Sequence, residues 1–271
     1  MKYQTKSILF WILSAVLMAG AAVYQRTTGP TYPVRGKAEI GTQKIKYKLI
    51  RTWEGTTDAE VRIKVSDENI VGKYRFKRFK SHDQWAEKAM LRDSNELVAY
   101  LPGQAAAGKV EYEVFLKGAD QQQFTKLQEE PAVLRYKGRV PPWVIIPHIL
   151  IIFMAMMFST RTGIEAVING RNLVNYSMWT VILLAIGGMT LGPIVQKYAF
   201  DSYWTGWPFG QDLTDNKTLA AFILWIAAWL QVRSNPNKKG WVIAAAIGLL
   251  AVYLIPHSMF GSEIDYTQQG G

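Results

Sequence analysis

The chain has 271 residues, with 31 Lys and Arg against 21 Asp and Glu, and it contains no cysteine. The missing thiols exclude disulfide staples, thiolate metal sites and a cysteine nucleophile. The formal charge of +10 and the 49% hydrophobic content hide a split, because charge gathers before about Arg139 and the long apolar runs follow it.

Residues 1–25 open with Lys2 and Lys6 and continue into the apolar run Ile8–Tyr24, ILFWILSAVLMAGAAVY. Its length is near the lower limit for a spanning helix. A basic start, an apolar middle and the small residues Ala19, Gly20, Ala21 and Ala22 also fit a signal peptide, so the segment reads as an N-terminal membrane anchor or as a signal. Either reading carries Arg26 onward across the membrane.

Residues 26–140 read as one β-rich domain. The opening TTGPTYP is an extended linker, because its two prolines disfavour helix. Short period-two runs follow. Ile45, Tyr47 and Leu49 alternate with Lys44, Lys46 and Lys48, and Val61, Ile63 and Val65 alternate with Arg62 and Lys64. Leu97, Ala99 and Leu101 form another run, as do Val110, Tyr112, Val114 and Leu116. WEGTTD, SDEN and PGQAAAG are the turns between them, and Gln84–Leu91 reads either as a short helix or as a strand. This pattern predicts an antiparallel β-sandwich.

Within that domain the segment LPGQAAAGKVEYEVFL resembles the E–F corner of immunoglobulin-like and fibronectin-III-like domains. The resemblance covers residues 30–137. It implies that Tyr112 starts strand F and returns its hydroxyl to the backbone, although the turn is longer than the usual one and no Cys pair is present.

Residues 141–271 read as a four-helix transmembrane domain with an outer loop at 196–218 and an outer C-terminal tail. The spans are Trp143–Phe158, Trp179–Val195, Leu219–Val232 and Trp241–Ile255, the last two short but bounded by tryptophans as at a bilayer interface. One set of loops carries Lys2, Lys6, Arg161, Arg171, Arg233, Lys238 and Lys239. The other offsets Lys197 and Lys217 with Asp201, Asp212, Asp215, Glu263 and Asp265. Positive charge inside makes the N-terminus cytoplasmic and places residues 26–140 and the C-terminus outside the cytoplasm, in a bacterial inner membrane. The spans so drawn contain no Asp, Glu, Lys or Arg, which argues against ion-coupled transport. Residues 159–173, STRTGIEAVINGRNL, carry Arg161, Glu165 and Arg171 and read as a short amphipathic helix along the inner face.

Chemistry has few candidates. His148 in VIIPHIL and His257 in YLIPHSM fall at the same outer membrane face on helices of opposite direction. Such a pair suits a transition metal or haem iron, with Asp212 and Glu263 as further ligands. The competing reading is a polar contact at a helix start beside proline. The loop QKYAFDSYWTGWPFGQDLTDNKT suggests a ligand pocket with Trp204 and Trp207 stacking on a ligand, beside Asp212, Asp215 and Asp265, or else an aromatic belt with Asp215 or Asn216 capping the next helix. Lys73, Arg75, Lys77 and Arg78 in KYRFKRFK suggest lipid or polyanion contact, or a solvated sheet face, and the topology removes nucleic acid as a partner. No Walker loop, dinucleotide fingerprint or Gly-x-Ser-x-Gly elbow occurs.

These observations predict an α+β membrane protein with five spans, an extracytoplasmic antiparallel sandwich and a helical membrane bundle. The expected function is non-enzymatic, an envelope scaffold or accessory subunit holding a membrane or envelope protein partner. The alternatives are a metal- or haem-binding membrane protein using His148 and His257, and a membrane-embedded enzyme acting on lipid or glycan at the outer face through Asp212, Asp215 and Glu263.

Overall fold

Alternating apolar and charged residues produce strands, and long apolar runs produce helices, so the chain is a mixed α+β protein with several sheets. The computed structural model describes residues 3–256 and 263–268. The chain divides into a helical unit, Met1–Pro30 with Val140–Gly261, and a β unit, Thr31–Arg139 with Ser262–Gly271.

The β unit contains β1 (Val34–Ile40), β2 (Gln43–Leu49), β3 (Thr52–Glu54), β4 (Ala59–Lys64), β5 (Val71–Arg78) and β6 (Ala86–Ala89). It continues through β7 (Leu91–Asp93), β8 (Glu96–Leu101), β9 (Lys109–Lys117), β10 (Thr125–Lys126) and β11 (Ala132–Lys137). β1 and β2 form a hairpin. β3, β11, β9, β5 and β6 lie side by side with β10 added against β9, and β4, β8 and β7 form a third sheet. All pairings are antiparallel except β3 with β11. The alternating apolar residues of β2, β4, β8 and β9 enter one core with Tyr74, Leu134 and Tyr136. Gln84–Leu91 contains no helix; Ala86–Ala89 and Leu91 are strand and belong to two sheets, since β6 pairs with β5 and β7 with β8.

Tyr112 is fully buried in β9, three residues after its start, and its hydroxyl donates to the backbone of Ile50 at 2.7 Å. The hydroxyl therefore reaches backbone far upstream, between β2 and β3.

The helical unit has α1 (Tyr3–Thr28), α2 (Pro142–Val167), α3 (Leu173–Phe200), α4 (Leu213–Ser234) and α5 (Gly240–Leu254) among the described residues. Within α3, residues Ala185–Leu191 form a π-helical segment. Three helices, Lys6–Thr28, Pro142–Val167 and Leu173–Phe200, are long and apolar enough to cross a membrane, and α5 is a shorter apolar helix. Burial against one another rather than amphipathicity organises this unit. Ala155 and Met156 of α2, Leu184 of α3, Trp225 and Ala228 of α4, and Val242 and Leu249 of α5 share one core with Ala21 of α1.

The charged stretch after Phe158 is not a separate helix. It continues α2 to Val167, and Arg161 and Glu165 are completely buried. One turn apart, they form an ion pair of 2.6 Å. The guanidinium lies 5.1–5.7 Å from the ring centres of Phe10, Trp11 and Tyr176, where cation–π attraction adds to the ion pair. A Cβ at position 170 would fall 2.1 Å from the Glu165 carboxylate, so glycine there permits the close approach. α1 is thereby an integral part of the helical unit. Trp11 packs edge-on to Phe158 and Tyr176, Ser14 is fully buried, and Gln25 donates to the Tyr253 carbonyl at 3.0 Å.

Candidate functional site

Proline at the start of α2 and a glycine pair in α3 set up the first candidate. Pro142 lies in the first turn of α2, where its missing N–H is not needed, and His148 directly follows Pro147 in the second turn. Its Nδ1 lies 3.0 Å from the carbonyl of Gly187 in the π segment of α3. A carbonyl only accepts, so Nδ1 carries the proton and Nε2 is the ring's remaining acceptor. The Gly187 carbonyl also receives the Gly192 N–H. A Cβ at Gly187 would come within 3.0–3.2 Å of Ile151 and Ile152, so the absence of a side chain lets α3 lie close against α2 here. π segments recur at functional sites. In this one the imidazole ties two helices together. His257, the second histidine of the proposed metal pair, lies outside the described residues.

The loop between α3 and α4 is organised by the start of α4. The Asp212 carboxylate accepts the N–H groups of Thr214 at 2.8 Å and Asp215 at 3.4 Å, a helix N-cap. Asp215 is buried and accepts from the Thr205 backbone at 2.7 Å and its hydroxyl at 3.3 Å. Gln196 donates to that same hydroxyl, and the Asn216 side chain receives the Trp207 N–H. Trp204 donates its indole N–H to the Trp207 carbonyl. The loop thus folds back on the first turn of α4, and it turns Trp207 and Phe209 outward, 70% and 84% exposed. Asp265 is not part of this loop. It belongs to the β unit, where it accepts from the backbone and hydroxyl of Thr267.

Lys217, read from sequence as a loop charge, is a buried residue of α4, and its ammonium donates to the Ile255 carbonyl at the end of α5 at 2.7 Å. A cation at a helix C-terminus complements the partial negative charge there.

Glu263 lies in the β unit and is held between Lys80 and Lys109. Its partial burial works against the charged form. The two ammonium groups overcome that and keep its carboxyl below the usual range. Among the described residues, no three of His, Asp and Glu come together as a group that could hold a metal.

The basic strand is a ladder of ion pairs. Lys73 meets Glu87 at 3.0 Å, Lys77 meets Glu111 at 3.2 Å, and Arg78 meets Asp83 at 2.7 Å. Arg75 meets Glu113, and Lys126 reaches the same carboxylate at 2.8 Å. Glu113 is almost fully buried, which by itself would raise its pKa, and the bonds from Arg75 and Lys126 lower it on balance. Hydrogen bonding to Arg78 holds the Asp83 carboxyl at about 2. Arg75 and Lys77 also lie 4.9 and 5.4 Å from the Trp85 ring.

Sequence reasoning missed the buried Arg161–Glu165 pair and the bonds that Lys217 and Gln25 make to the end of α5. The spacing of four between Arg161 and Glu165 was a local signal for the first. The other two depend on helices that meet only in the fold. Comparison with protein-family models, curated proteins and solved structures finds no match to this chain.

Proposed function

We propose that this chain is an envelope scaffold or accessory subunit, anchored in a bacterial inner membrane by five spans and carrying an extracytoplasmic immunoglobulin-like sandwich. The observation that carries the functional part is the engagement of the candidate groups. His148 bonds the Gly187 carbonyl, Asp212 and Asp215 fix the start of α4, and Glu263 is held by two lysines. Polar groups that hold their own backbone and neighbouring cations favour a structural and binding role.

The strand order supports the sandwich reading. β11, β9, β5 and β6 correspond in sequence order to strands G, F, C and C′, and β4, β8 and β7 to B, E and D. Residues from both sets share one core. The packing of Trp11, Ser14 and Gln25 supports a retained anchor rather than a cleaved signal. Five spans are supported by the shared core of α4 and α5 with the three longer helices.

Lack of native cysteine makes the chain a ready background for single-cysteine labelling. In intact cells, Ser66→Cys and Ser202→Cys should react with a membrane-impermeant maleimide, and Asn237→Cys only after permeabilisation. The reverse pattern rejects the topology. For function, the chain purified in mild detergent should bring down a second membrane or envelope protein in stoichiometric amount, equally in wild type and His148→Ala. A haem band, or about one metal per chain that is lost in His148→Ala, would instead establish the metal reading.

A further inference from the structure

The β1–β2 hairpin separates its residues cleanly by face. Ile40, Ile45 and Leu49 are buried in the β core, with Val34, Ala38 and Tyr47 packed against it. The opposite face shows Arg35, Lys37 and Glu39 from β1 and Lys44, Lys46 and Lys48 from β2, all exposed. The register sets like against like, with Arg35 opposite Lys48 and Lys37 opposite Lys46. Directly opposed side chains on one face are close neighbours, and like charges there repel. One pair is complementary, Glu39 with Lys44 at 3.5 Å, and both side chains are mostly exposed. Arg35 has the Tyr32 ring beneath it at 5.6 Å. Among the described residues, Lys37, Lys46 and Lys48 form no ion pair and no side-chain hydrogen bond.

We propose that this exposed face docks on anionic phospholipid head groups. Five cations and one carboxylate on a two-stranded ribbon leave a concentrated positive charge that the fold itself does not neutralise. Four of the five cations are lysines, compact point charges suited to a field of anions, whereas a bidentate site would call for arginine forks. In sequence the hairpin follows α1 after only the residues 29–33, and α1 is long and apolar enough to cross a membrane. A basic segment beside a membrane helix is attracted to anionic lipid. The proposal therefore rests on α1 being a span.

The test uses the full chain reconstituted into nanodiscs of phosphatidylcholine alone or with 30% phosphatidylglycerol. Thr42→Cys at the hairpin turn carries a donor dye, and the head groups carry the acceptor. Energy transfer should rise in the phosphatidylglycerol discs and return to the phosphatidylcholine level in 0.5 M salt, where the Debye length shrinks to a few Å. Each of Lys37→Gln, Lys46→Gln and Lys48→Gln should weaken docking about fivefold, and Lys73→Gln not at all. An unchanged thermal midpoint shows that the glutamine variants remain folded. Equal transfer in both lipids, or a rise that persists when Lys37→Gln, Lys46→Gln and Lys48→Gln are combined in one chain, overturns the proposal. A response to added polyglutamate but not to phosphatidylglycerol also overturns it, in favour of an acidic polypeptide. Failure of the chain to enter nanodiscs at all would reject the membrane anchor, separately from the hairpin.

Discussion

Two stretches of the β unit share one local pattern, a cation at every second residue with uncharged residues between. They are Lys44–Lys48 in β2 and Lys73–Lys77 in β5. Their neighbours make them opposites. β5 lies between β6 and β9, which bring Glu87, Glu111 and Glu113 alongside its cations. β2 has β1 as its strand partner, which brings Lys37 and Arg35. The charge of a strand is thus a property of the strands beside it, and a run of lysines read alone cannot distinguish a neutralised ladder from a bare cationic face.

The comparison can be broken most severely at Glu113. Glu113→Gln leaves Arg75 and Lys126 without their shared buried carboxylate and should cost the β unit about 2 kcal/mol, below the range for a fully buried pair because both cations are partly exposed. Chemical denaturation followed by near-UV circular dichroism measures it, and an unchanged midpoint would mean that the ladder contributes nothing to stability. Acid tests the same ladder without mutation. The folded pKa values of Glu113, Asp83 and Glu263 are lowered, so their stabilisation is complete above the unfolded carboxylate value of about 4 and is lost as pH falls through the folded values. The unfolding midpoint should fall between about pH 4 and 2. A midpoint that stays flat over that range would contradict the pairing.

Tyr112→Phe should cost about 1 kcal/mol, because it leaves the Ile50 carbonyl without its hydroxyl donor and removes no charge. Thermal melts at low and high salt should show the same loss. The smallest effect has the opposite sign. Lys46→Glu sets a carboxylate opposite Lys37 and should stabilise by about 0.3 kcal/mol, an increment that added salt removes. Destabilisation by this substitution would mean that repulsion across the hairpin is already relieved.

Legibility in the sequence follows how local each cause is. The alternation of Ile45, Tyr47 and Leu49 with three lysines is visible in the chain, and the strand, its buried face and its charged face follow from it. β6 and β7 have no such signal. All seven of their residues are exposed, so backbone pairing rather than apolar burial places them, and Gln84–Leu91 reads ambiguously. The apolar runs of α2 and α3 reveal helices, but the end of α2 is hidden. Arg161 and Glu165 look like interface charges until Trp11 and Tyr176 enclose them. At the candidate site, the polar contact of His148 was among the readings open from sequence, whereas the helix cap falls at Asp212 and not at the expected Asp215 or Asn216, which lie inside the first turn. The Gly187 partner of His148 was not legible, because it depends on a π segment 39 residues further on.

The enclosed arginine has a consequence for biogenesis. Arg161 lies within 3.4 Å of Ser7, a residue synthesised 154 positions earlier, and its aromatic cover includes Tyr176, synthesised after it. As α2 leaves the ribosome its charged end has no finished shelter. The oldest helix must still be at hand, and the next must arrive, before the ion pair is enclosed. A chain that loses its first helix would keep Glu165 and Tyr176 beside the guanidinium but would lose Ser7, Phe10 and Trp11 from its cover.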